Sequence, residues 1–62
     1  MMKEGSTVRV VSLELEPYVN TSKLFKVISN KPYKDYDGWV EIANEQESII
    51  TREKLLEVVS EN

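Results

Sequence analysis

Four sets of side chains in this 62-residue chain have types and spacings that could do chemistry. In the stretch "YKDYDGWVEI", Asp35, Asp37 and Gly38 fall at the third, fifth and sixth positions of an EF-hand calcium loop. That register puts Tyr33 first and Asn44 twelfth, where the ion needs a carboxylate and a bidentate glutamate, so no metal site is expected. The acidic pairs Asp35/Asp37 and Glu45/Glu47 have the composition of a general acid–base couple. Both read as exposed turns, where nothing would separate their pKa values. Lys23, Lys26, Lys31 and Lys34 interleave with Phe25 and Tyr33, as a surface that tracks phosphates and stacks bases would require. Tyr33, Tyr36 and the single tryptophan, Trp39, are of the types enriched at the energetic centres of protein interfaces.

Composition narrows these options. Histidine and cysteine are both absent, which removes the commonest general base, the commonest metal ligand, disulfides and thiolate sites. Serines and threonines therefore have no imidazole to activate them. A chain of this length also leaves little room for a substrate pocket of several hundred cubic ångströms. No enzyme activity and no cofactor are expected. No segment approaches the roughly 20 apolar residues of a membrane span, and the opening "MMKEGSTVRVV" has no apolar run of leader length. A soluble, cytoplasmic protein without membrane association is expected. The net charge of −3 is unevenly spread. Residues 20–34 carry four lysines and no acid, whereas residues 35–62 carry eight acids against Arg52 and Lys54. Overall acidity argues against a general nucleic-acid coat.

The elements that must position these groups read as short strands in a single domain spanning residues 1–62. In "TVRVVSLEL", Val8 and Val10 alternate with Arg9, and Val11, Leu13 and Leu15 then alternate with Ser12 and Glu14. The phase slips between Val10 and Val11, which calls for a bulge or a bend. "EPYVNTS" reads as a loop. "KLFKVIS" places Phe25 and Val27 on one face, with Leu24, Lys26 and Ile28 on the other. "NKPYKDYDG" is a second polar loop, and "WVEIA" sets Val40 and Ile42 against Trp39 and Glu41. "NEQE" is a turn of hairpin length before the β-branched "SIIT". The tail "REKLLEVVSEN" reads as a 3-10 turn, "TREK", followed by a last strand, "LLEVV"; a helix packed over a small antiparallel sheet is the competing arrangement.

Five short strands with a 3-10 turn before the last resemble an SH3-like β-barrel over residues 5–59. The resemblance is carried by "EGSTVRVV", "DGWVEI" and "SIITREKLLEVV". It implies an all-β, five-stranded fold with little unpaired edge, which suits a chain too short to cover one with helices. In proline-ligand members of that family a tryptophan at the start of the middle strand walls the groove, and Trp39 has that place. The family's proline and tyrosine in the 3-10 turn are replaced here by Thr51 and Lys54.

The expected function is binding without catalysis, as a small accessory, regulatory or inhibitory protein of bacterial or phage type. The expected partner surface comprises Tyr33, Asp35, Tyr36, Asp37 and Trp39 with an acidic rim at Glu45 and Glu47, suited to a protein with a basic surface. Trp39 is out of phase with its strand's core residues, so it either packs under the 30–37 loop or meets a partner. Two other readings stand beside this one. One is a nucleic-acid-binding barrel that uses Lys23, Lys26, Lys31 and Lys34. The other is a self-associating module, monomer or homodimer, that gains stability by pairing.

Overall fold

The computed structural model describes residues 2–11 and 23–61. Its elements follow the alternation of the sequence: β1 (Thr7–Val10), β2 (Leu24–Ser29), β3 (Trp39–Ala43), β4 (Ser48–Arg52), a 3-10 turn (Glu53–Leu55) and β5 (Leu56–Ser60). All pairings are antiparallel, in the order β4-β3-β2-β1-β5. The tail is a 3-10 turn and a strand, so the helical alternative is ruled out, although both pieces begin later than "TREK" and "LLEVV" suggest. β1 ends at the phase slip: Val10 is buried and Val11 is exposed. The expected continuation over Ser12–Leu15 and the loop at 16–22 lie outside the described residues.

Register explains the core. Val8 sits opposite Phe25, Val27 opposite Ile42, Val40 opposite Thr51, and Val10 opposite Leu56. Directly opposed residues share a face, so these pairs build one apolar layer: Val8, Val10, Phe25, Val27, Val40, Ile42 and Leu56, with Met2 and Ile49 packed against it. Phe25 is 1% exposed and its neighbour Leu24 is 50% exposed, as period-two alternation requires. Two bulges interrupt the ladders. Ile28 is skipped between β2 and β3, and Val59 between β1 and β5, and both skipped side chains are exposed. Bulges bend strands and add twist, which curls a small sheet around its core.

The two outer strands of the order, β4 and β5, are joined by only three residues. A flat five-stranded sheet would separate its outer strands by roughly 19 Å at 4.8 Å per strand, so the sheet must bend back on itself. The 3-10 turn is fastened on both sides of that bend. The Glu53 N–H donates to the Gly38 carbonyl (2.8 Å), just before β3, and the Val11 N–H donates to the Leu55 carbonyl (3.0 Å), just after β1. At the other end of the β3–β4 hairpin, Asn44 organises the turn. Its Oδ1 accepts from the N–H groups of Gln46 (2.8 Å) and Glu47 (2.9 Å), and its Nδ2 donates to the Leu24 carbonyl (3.3 Å).

Candidate functional site: the groove at Trp39

Trp39 opens β3, and its direction follows from its neighbours. Val40 and Ile42 are fully buried, so alternation turns Trp39 and Glu41 outward. The hairpin register then sets Arg52 directly opposite Trp39 on the same face. The Arg52 Cζ lies over the indole, 5.3 Å from the ring centroid. Tyr33, from the preceding loop, meets the indole at 82° with ring centroids 5.6 Å apart. Such an edge-to-face pair adds about 0.5–1.5 kcal/mol beyond area burial, and a partly exposed cation–π contact adds about 0.5–1 kcal/mol. Trp39 is thus half-buried and fixed by two partners, packed beneath the loop and open to a groove at once.

The loop that brings Tyr33 to the site is held at its base. The Lys31 ammonium donates to Asp37, with which it forms an ion pair, and the Lys31 N–H donates to the Ser29 Oγ (3.2 Å). The hydrogen bond from Lys31, and then its positive charge, hold the Asp37 carboxyl below the usual carboxylate range. Within the loop the Tyr36 N–H donates to the Tyr33 carbonyl (3.3 Å). Gly38 closes the loop at φ +84°, a conformation that side-chain-bearing residues rarely adopt.

Between the start of β3 and the 3-10 turn lies an open concavity of about 700 Å³, walled by Met2, Gly38, Trp39, Arg52, Lys54 and Leu56. Asp37 and Glu53 stand at its margin. Its volume exceeds what chain length alone suggests, because it forms between elements at the surface and needs no enclosed interior. The Met2 wall comes from the far end of the sequence. The Met2 N–H donates to the Glu53 Oε2 (3.3 Å), and the Asn30 Nδ2 donates to the Met2 carbonyl (3.1 Å).

The sequence-predicted partner residues do not form one surface. Tyr33, Asp37 and Trp39 come together, and Tyr36 and Asp35 lie exposed on the same loop. Glu45 and Glu47 occupy the hairpin turn at the opposite end of β3, roughly 17 Å from Trp39 by strand rise. The acidic rim is therefore not a rim of the aromatic site. Arg52, Lys54 and Met2 were not anticipated. Arg52 could have been found by folding "WVEIANEQESIITR" about its four-residue turn, which sets Trp39 against Arg52.

The lysines do not gather around an aromatic platform. Phe25 points into the core, Lys31 is tied to Asp37, and Lys26 stands on the outer sheet face between Thr7 and Ala43. Near Lys26 a second, more apolar concavity of about 610 Å³ runs past Leu24 and Ile28. Among the described residues no three acidic side chains converge as a metal-binding group, and no helix is long and apolar enough to cross a membrane. Family models, curated proteins and solved structures give no match to this chain.

Proposed function

We propose that this chain is a small SH3-like barrel that acts without catalysis, by binding a segment of a partner protein along the groove at Trp39. The strand order β4-β3-β2-β1-β5 and the 3-10 turn between β4 and β5 support the fold. One observation carries the function: the only tryptophan is in contact with both Tyr33 and Arg52 at the wall of an open groove. A fixed aromatic beside a groove loses little entropy on binding and supplies a large contact area, as interface anchors do. The protein reading is favoured over nucleic acid because Phe25 is buried and Lys31 is already paired.

Affinity capture from the native cell, with the intact chain and with Trp39→Ala in parallel, tests the proposal. Partners retained by the parent chain should be lost from the variant once circular dichroism shows the variant folded. A folded Trp39→Ala that keeps every partner refutes the groove as the binding surface.

A further inference from the structure

We infer that the Trp39 groove takes a carboxylate-bearing ligand: an extended peptide segment whose Asp or Glu side chains are received by Arg52 and Lys54. This rests on the groove being the binding surface, and it adds the chemical class of what binds there.

The charged side chains around the groove differ in what they already do. Both acids are engaged. Asp37 is paired with Lys31, and Glu53 accepts the Met2 N–H (3.3 Å). The two cations are not. Among the described residues neither Arg52 nor Lys54 donates to a protein acceptor or pairs with a carboxylate. Arg52 is nonetheless held in place, because its guanidinium lies over the Trp39 ring. That attraction acts through the ring's quadrupole and spends none of the five N–H donors. The guanidinium fork matches a carboxylate in two parallel hydrogen bonds, stronger than neutral ones. Trp39 therefore pre-positions a carboxylate receptor whose donors remain available, and Lys54 extends it along the 3-10 turn.

A basic segment would find the opposite situation. Its cations would meet acids whose charge is already partly met, Asp37 by the Lys31 ammonium and Glu53 by the Met2 N–H. The chain's net charge of −3 opposes an acidic ligand at long range, but screening limits that repulsion to about 8 Å at physiological ionic strength. Contact-distance donors decide the selectivity. A single-stranded nucleic acid could use the same two cations, yet it carries a phosphate at every nucleotide and needs a longer cationic track than the groove offers.

Selection of displayed random decapeptides on the intact chain provides the test. Recovered peptides should be enriched in Asp and Glu. A synthetic copy should change the emission of Trp39, the only tryptophan. Arg52→Gln should weaken that peptide about tenfold or more, Arg52→Lys should weaken it less, and Lys54→Gln should weaken it several-fold. Lys54 is exposed, so its variant keeps the test decisive even if Arg52→Gln perturbs folding. Recovered peptides that need Trp39 but lack acidic enrichment would overturn the ligand class alone, as would acidic peptides indifferent to both cation variants. Tighter binding of oligo(dT) than of any recovered peptide would also overturn it. No recovery at all, or equal recovery on folded Trp39→Ala, would instead overturn the groove as a binding surface.

Discussion

Phe25 belongs to a lysine-flanked stretch that looks like a nucleic-acid surface, yet it is the largest fully buried side chain among the described residues. Replacing it separates the two roles. Truncating a buried phenylalanine to alanine costs about 3–5 kcal/mol through lost burial and the cavity left behind. A 62-residue chain holds roughly 3–9 kcal/mol in total, at about 0.05–0.15 kcal/mol per residue. Phe25→Ala should therefore remove about a third or more of that stability, and at the low end of the range it should unfold the protein. Phe25→Leu keeps most of the volume and should cost about 1–2 kcal/mol. With a urea slope of about 1 kcal/mol/M, expected for so small a domain, its midpoint should fall by about 1–2 M. Leu24→Ala, one residue earlier on the outward face and half exposed, should shift the midpoint by no more than about 0.5 M. Urea titrations followed by Trp39 emission and by far-ultraviolet dichroism supply the measurement. A Phe25→Ala midpoint within about 0.3 M of the parent would refute the inward placement of Phe25 and the face assignment of β2.

Other perturbations test the site and its supports. Asp37 should titrate below its ordinary value of 3.8. A folded pKa that is depressed means the Lys31–Asp37 pair contributes above about pH 3.8 and is lost as pH falls through the lower folded value. Asp37 is exposed, so its NMR titration midpoint is the readout, and the midpoint should rise in Lys31→Met; an unmoved midpoint refutes the pair. Gly38→Ala should cost about 1 kcal/mol, because φ is +84° while no atom lies within 4 Å of an added Cβ. Gly38→Asn should cost less, and a loss above about 3 kcal/mol would mean a steric clash that the geometry denies. Ser6 is buried and its hydroxyl has no hydrogen-bond partner among the described residues, so Ser6→Ala should be neutral or stabilising by up to about 1 kcal/mol. Destabilisation beyond 1 kcal/mol, on the order of one hydrogen bond, would reveal an acceptor or donor that the packing does not contain.

Much of the fold was legible because strand alternation is local. Val8, Val10, Phe25, Val27, Val40 and Ile42 are buried as their period-two spacing requires, and the outward Trp39 follows from the same rule. The paired valines and the alternation of the tail pointed to a last strand, which β5 supplies. The Trp39–Arg52 contact was also present in the sequence, once the Asn44–Glu47 turn sets the register. The acids of that turn, Glu45 and Glu47, lie at the other end of the hairpin from this contact.

By itself, then, the sequence determined which side chains face the core, where the hairpin turns and that no histidine or thiol chemistry is present. Only the tertiary structure decided that Met2 and Glu53, 51 residues apart, meet beside Trp39, that Glu45 and Glu47 stand at the far end of the sheet, and that Asp37 is engaged by Lys31. The division has a physical cause. Facing is set within a few residues by covalent geometry, whereas the groove depends on the order, bulges and curl of all five strands.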